Sequence, residues 1–189
     1  KKGPLGTKLD KSYKDLYMGE DTWEQAEVKL LKESIEIVLN KGRKSSSNID
    51  LLISGDLLNQ VTASSYAALD FNIPFFGIYG ACSTSVEGII LMSSLIDGKK
   101  IKNGIVSVSS HNTASEKQFR NPTEYGAPKP STATFTSTGG ASILLSNQKS
   151  KIRVESSTIG KVVDMNQTDP FNMGAVMAAA AGDTIYRHL

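Results

Sequence analysis

One cysteine, Cys82, stands among 189 residues. A single thiol cannot close an internal disulfide, so the fold is not stapled as small secreted domains are, and a reducing compartment is the expected setting. Excess charge of one sign is missing too. The 21 Lys and Arg nearly balance the 19 Asp and Glu, leaving a formal net charge of +2. No aromatics interleave with basic clusters, which removes nucleic acid from the expected partners. The chain opens Lys1-Lys2-Gly3-Pro4 with no apolar core in its first twenty residues, so no secretory leader is read there. It has no initiator methionine, and part of the natural N-terminus is expected upstream. An unbroken hydrophobic run is lacking as well. Phe71 to Ile96 comes nearest, but Pro74, Gly77, Gly80 and Glu87 interrupt it, which predicts a buried strand followed by a core helix rather than a membrane span.

What is present is an alternation of strand and helix patterns. Asp21, with Glu24 three residues on, predicts a capping box. Trp23, Ala26, Leu30, Leu31, Ile35 and Val38 then recur at helical spacing to Leu39, and Asn40 to Gly42 form a stop. Asp50 to Ser54 reads as a buried strand and Asn59 to Leu69 as a second helix. Pro74 to Tyr79 is predicted as another buried strand, Ser83 to Ile96 as a helix ended by Asp97-Gly98, and Ile105 to Ser109 as a third strand. This order implies parallel pairing through crossover helices, hence an α/β sheet covered on both faces.

His111 to Gly140 breaks the alternation. It is polar, rich in Ser and Thr, and reads as a long loop, a feature that usually has a function. Ala141 to Leu145 and Lys151 to Ile159 are expected to form an edge hairpin. "YMGEDTWEQAEVKLL" (17–31) and "NMGAVMAAAAGDTIY" (172–186) both place an apolar helix just after Met-Gly, as if a second copy of the unit begins near residue 172.

Cys82 sits in "GIYGACSTSVEGI", where a strand ends and a helix begins. Gly77 and Gly80 permit a tight turn there, in the manner of a nucleophile elbow, although G-x-S-x-G itself is absent. A helix N-terminus offers free backbone N–H groups and partial positive charge. It stabilises a thiolate, and it can equally hold a carboxylate or an oxyanion. A buried structural cysteine is the plain alternative. A thiol nucleophile needs a base. His188 is penultimate and reads as a surface residue, whereas His111 follows the third strand at the carboxyl edge, where open α/β sheets place ligands. Asp56 follows the first strand at that same edge, with helix capping as its alternative role.

The motifs "YGACSTS", "SSH" and "TGGASILLS" resemble the N-terminal half of the thiolase and ketoacyl-synthase fold. "GPLG", "ISGDLLNQ", "FGIYGACSTS", "SSHNTASEKQFRNPTEYG" and "TATFTSTGGA" resemble, more narrowly, the stage V sporulation protein AD family. The resemblance implies a thiolase-like α/β fold with a mixed five-stranded sheet between helix layers, the N-terminal half of a two-half α-β-α-β-α protein. Residues 1–150 would form that half, less its first strand, and 151–189 would begin the second, repeated half.

In thiolase-like enzymes the matching cysteine takes an acyl group, with activating histidines drawn largely from the second half. Where a thiolase has Gly-Gly-x-Glu after the third strand, this chain has Ser109-Ser110-His111-Asn112. The sporulation family is understood to bind dipicolinic acid and to take part in loading it into developing spores. The resemblance therefore implies a ligand pocket containing Asp56, Cys82, His111 and Asn112, with no catalytic residue, metal ligand or cofactor. It also implies a peripheral place at the spore inner membrane beside other stage V sporulation A proteins, with a homodimer as one candidate assembly. The alternative is an acyl-transferring condensing enzyme with Cys82 as nucleophile. Dipicolinate is a flat pyridine with two carboxylates. The helix start at Cys82 can receive one, and His111 or Arg120 the other. Asp56 suits such a ligand if calcium accompanies it, or if a proton is shared between the two.

Overall fold

The structure is a computed structural model that describes residues 6, 8–59, 61–119, 136–169 and 172–189, excluding the side chains of 116–119 and 173. Among the described residues, two compact units are present, the first ending at Gln148 and the second running Lys149–Leu189.

The first unit opens with a strap that lies along helix α1 (Trp23–Gly42). Lys11 pairs with Glu33 at 2.8 Å, and Lys29 donates to the Met18 carbonyl at 2.8 Å. The helix begins one residue later than the Asp21 reading predicts. Thr22, in extended conformation, accepts the Gln25 amide at 3.2 Å, and Gln25 Oε1 accepts the Thr22 amide at 3.1 Å. Asp21/Glu24 and Thr22/Gln25 both fit the capping pattern, and the second pair takes the role. Arg43 closes the helix in the left-handed region at φ 51°.

The sheet contains β1 (Leu51–Gly55), β2 (Phe75–Gly77), β3 (Asn103–Ser110) and β4 (Gly139–Ser146), in the order β2-β1-β3-β4. β1 is parallel to both of its neighbours, while β4 runs antiparallel to β3. The sheet is mixed, as expected, but has four strands rather than five among the described residues. Lys151 to Ile159 forms no strand. Its apolar residues Ile152 (87% exposed) and Ile159 (75%) stay open to solvent. β2 is shorter than predicted and lies at the sheet edge with Phe75 and Phe76 exposed. Only its β1 side is paired.

Strand alternation sorts the core into two layers. Leu52 and Ile105 face Leu31, Ile35 and Leu39 of α1 and Ala67 of α2 (Thr62–Ala68). Ile53 and Val106 face Met92 of α3 (Thr84–Asp97) on the other side. Helices thus cover both faces. A hydroxyl cluster adds to the first layer, with Ser142 Oγ 2.7 Å from both Ser34 and Ser107.

The segment read as one long loop starts instead as helix α4 (Asn112–Phe119), immediately after β3. Ser115 donates its amide to the His111 carbonyl at 2.9 Å, and fully buried Ala114 packs with Leu58 and Ala63. Tertiary burial decides this helix, because its own apolar periodicity is slight. In the second unit, α5 (Met173–His188) is capped by the Asn172 side chain. Met173 and Gly174 lie inside α5, whereas Met18 and Gly19 form a left-handed turn ahead of α1, so the two Met-Gly stretches differ in local structure.

Ile53 is fully buried between β1 and α3. Ile53→Ala is expected to cost about 2–5 kcal/mol of unfolding free energy, read as a lower urea midpoint with an unchanged slope.

Candidate functional site

Strands β2, β1 and β3 end side by side and point the same way, so the residues that follow them share one edge of the sheet. After β2 the chain passes through Ile78-Tyr79-Gly80 into a tight 3₁₀ turn, Ala81–Ser83, and then directly into α3. Ala81 takes φ +48°, an unusual conformation for a residue with a side chain and one that a sharp strand-to-helix elbow demands. Thr84 Oγ1 stitches the turn by donating to the Ala81 carbonyl at 2.8 Å and accepting the Gly80 amide at 3.0 Å. At the head of this elbow Cys82 is exposed, contrary to the buried-cysteine alternative.

Gly55 explains how the elbow meets the end of β1. A Cβ there would collide with the Ile78 carbonyl oxygen and lie 2.5 Å from Thr84 Cγ2. Only a residue without a side chain allows that approach, which sets the turn after β2 against the residue preceding Asp56.

Asp56 is 2% exposed. Its Oδ1 accepts the Leu58 amide at 2.9 Å and its Oδ2 the Ser64 amide at 2.8 Å. It therefore supplies the acceptors that the N-terminal end of α2 needs, since Val61, at the helix start, has no side chain able to cap. The capping alternative describes its contacts. Its charge still reaches the elbow: the Tyr79 phenol is shifted upward, first by burial and then by Asp56.

His111 is fully buried. Its Nε2 lies 2.8 Å from the Leu16 carbonyl and its Nδ1 accepts the Ala114 amide at 3.4 Å, which assigns the Nε2–H tautomer. The imidazole thus ties the N-terminal strap to the start of α4. Asn112 donates its amide to Thr138 Oγ1 at 3.0 Å and its side-chain Nδ2 to the Thr136 carbonyl at 2.8 Å. It fixes the chain as it returns toward β4.

One residue in this region escaped the reading of the sequence. Glu27 is completely buried on the inner face of α1, and Ser109 donates to its Oε1 at 3.0 Å. Burial pushes its carboxyl up to about 7 against the pull of the Ser109 hydroxyl, and the Asp56 charge adds to the rise. The signal was available, because Glu27 lies four residues after Trp23 and four before Leu31, within the helical stripe that faces the core.

The edge thus brings Asp56, Cys82, His111 and Asn112 to neighbouring strand ends, with the Cys82 side chain open to solvent and those of Asp56 and His111 turned inward. Arg120 lies outside the described residues. His188 belongs to the second unit, where its Nδ1 is 2.8 Å from Thr158 Oγ1. Among the described residues there is no group of three or more His, Cys, Asp or Glu that could hold a metal ion. None of the described helices is long and apolar enough to cross a membrane.

The family model for stage V sporulation protein AD matches residues 1–189. The chain belongs to the stage V sporulation protein AD family. It is 45% identical over 188 residues to the stage V sporulation protein AD of Bacillus subtilis (strain 168), covering 100% of this chain and 56% of that relative. The chain therefore spans little more than half the length of the curated relative it matches. Among solved structures, it is similar to a single-residue variant of OleA from Xanthomonas campestris, with a TM-score of 0.58 at 14% identity over 89% of this chain and 55% of that one. It is also similar to 3-oxoacyl-[acyl-carrier-protein] synthase III from Aquifex aeolicus VF5, with a TM-score of 0.53 at 20% identity over 70% and 41%. These likenesses show that this sporulation family member has the thiolase-like fold its motifs implied.

Two outcomes follow from the geometry. Cys82 is expected to react with Ellman's reagent in the folded protein within a few-fold of its rate in denaturant, whereas a buried thiol would be protected by orders of magnitude. Asp56→Ala is expected to destabilise the fold by about 1–3 kcal/mol in the absence of any ligand, because two buried amides lose their acceptors.

Proposed function

We propose that this chain is the N-terminal part of a dipicolinic acid-binding protein that helps bring the acid into the developing spore. The observation that carries the reading is the exposed elbow at Cys82, set at the head of α3 and seated against Gly55 at the end of β1. A helix start turned to solvent suits a carboxylate of a flat aromatic diacid. In this reading Cys82 forms the pocket wall as an inherited nucleophile position. Asp56, His111 and Asn112 complete the pocket by holding the loops around the elbow.

The charge balance at the elbow favours a particular form of the ligand. Glu87 stands in the first turn of α3, and its carboxylate occupies the space beside Gly80, where a Cβ would collide with its Oε2. With Asp56 nearby, two negative charges oppose a bare dianion, so calcium accompanying the dipicolinate strengthens the complex. No resident cofactor enters the proposal. The protein acts peripherally at the spore inner membrane, alongside other stage V sporulation A proteins.

The test is calorimetric titration of the full-length protein with dipicolinate, with and without calcium. Saturable heat, larger in affinity with calcium, is the expected result. Cys82→Ala should weaken binding by less than about tenfold, or 1.4 kcal/mol, because the backbone N–H groups remain. Cys82→Arg should abolish it by filling the elbow. Glu87→Gln should tighten binding of the calcium-free acid. Absence of saturation in both conditions rejects the reading.

The exposed thiol beside a left-handed Ala81 favours one second reading, acyl transfer through Cys82. Incubation of the full-length protein with acyl-coenzyme A thioesters, followed by intact mass, separates the two. A stable acyl adduct at Cys82 supports transfer, and its absence across chain lengths leaves the binding role.

A further inference from the structure

The polar groups behind the site edge are unevenly satisfied. Both carboxyl oxygens of Asp56 hold backbone amides, and both ring nitrogens of His111 are engaged. Glu27 differs. Its Oε1 has the Ser109 hydroxyl, but its Oε2 is buried with no hydrogen-bond partner. Ser109 is also the residue two before His111, at the carboxyl end of β3. On the far side of the corner, Ser115 Oγ of α4 is likewise buried without a partner. The corner where β3 turns into α4 therefore rests on α1 through apolar contact, with Ala114 packed in the cluster that Trp23 and Val28 join, and through an incompletely bonded carboxyl.

Such a carboxyl is tolerable while it is neutral and costly once it is charged, since the Ser109 hydroxyl and the weaker pull of the His111 backbone amide do not replace the water that a buried anion loses. We propose that Glu27 is a pH-sensitive latch: uncharged, it lets the β3–α4 corner close over the inner face of α1, and ionised, it loosens that corner together with the strap that His111 holds at Leu16.

The groups around Glu27 act in one direction. From the β1–α2 turn, the charge of Asp56 opposes ionisation, and on α1 itself Glu24 does the same. From the end of β3, the His111 backbone amide and the Ser109 hydroxyl favour the ionised form but fall short of the cost of burial. Among the described side chains, α4 contributes Asn112 to Ser115 and β4 contributes Gly139 to Ser146, none of them titratable. Among the groups that act most on the carboxyl there is no cation to offset the charge.

The sign follows from proton linkage. In the closed corner Glu27 holds its proton to about pH 7, whereas in an open corner it releases the proton near its ordinary value of 4.5. Closure is therefore strongest in acid. It weakens by up to roughly tenfold per pH unit as pH rises between those two values, and levels off above the upper one. The latch is read on the ligand-free protein and needs no ligand to operate, so it can fail while dipicolinate binding stands, and the reverse.

The experiment is amide hydrogen exchange on the full-length protein from pH 5 to pH 8.5, with rates corrected for intrinsic chemical exchange. The expected result is that opening of residues 111–119, and of the amides around Leu16, rises toward neutral pH and then flattens, while α3 shows no such trend. Glu27→Gln, uncharged and nearly isosteric, should remove the pH dependence and leave the corner closed at pH 8. Corner protection that does not vary with pH in the parent overturns the latch, as does an unchanged profile in Glu27→Gln. If Glu27→Gln does not fold, the parent still decides the matter through its infrared spectrum. A protonated-carboxyl band should be present at pH 6 and fade through neutral pH, and its absence at pH 6 overturns the proposal.

Discussion

Parallel pairing of β1 with both of its neighbours is the constraint from which the rest of this molecule follows. Because β1, β2 and β3 run the same way, the chain must be carried back after β1 and again after β2, and the helices that do so, α2 and α3, pack on opposite faces of the sheet. The same pairing collects three strand ends at one edge, and Asp56, Cys82 and His111 lie in the segments that follow them. Antiparallel pairing of any two would have scattered them. Gly55 refines the arrangement, since its missing side chain lets the elbow after β2 seat itself against the end of β1.

At that edge the polar residues divide into those that hold the structure and those that face outward. Asp56 and His111 each satisfy two partners of the protein itself, one at the start of α2 and the other between the strap and α4. Cys82, by contrast, makes its side chain available on a turn whose strained Ala81 is held by Thr84. The edge thus pairs an internally bonded base with one position open to solvent. The elbow itself is a product of the sheet, since Gly55 at the end of β1 leaves the room in which it turns.

Much of the fold was legible from spacing alone. The helical stripe of Trp23 to Val38 and the apolar runs read as strands at 50–54 and 105–109 lie within a residue or two of the observed elements, and so does the strand-to-helix step at Cys82. The errors share one cause, which is that tertiary context decides what local pattern leaves ambiguous. Two overlapping capping signals began α1, and only the folded chain selects Thr22 with Gln25. Polar His111 to Gly140 read as a loop, yet Ala114 is drawn into a helix by the core beneath it. Lys151 to Ile159 has strand-like residues but buries too few of them. Within the site, positions were easier to read than orientations. The edge location of Asp56 and His111 came from the strand pattern, while their inward hydrogen bonds depend on partners as distant in sequence as Leu16. Glu27 was hidden differently, as a charged letter in an apolar stripe, easily mistaken for an interruption.

The antiparallel course of β4 sets a matter of reach. β4 starts with Gly139 beside Ser110, at the edge that carries Cys82, and finishes with Ser146 beside Asn103, at the opposite edge. The polypeptide beyond Ser146 therefore departs from the far side of the sheet. At about 3.3 Å per residue, a strand of eight residues is about 26 Å long. Any later part of the chain that reaches the Cys82 edge must travel back over a distance of that order, which requires about eight extended residues or a much longer helix before its first side chain can arrive.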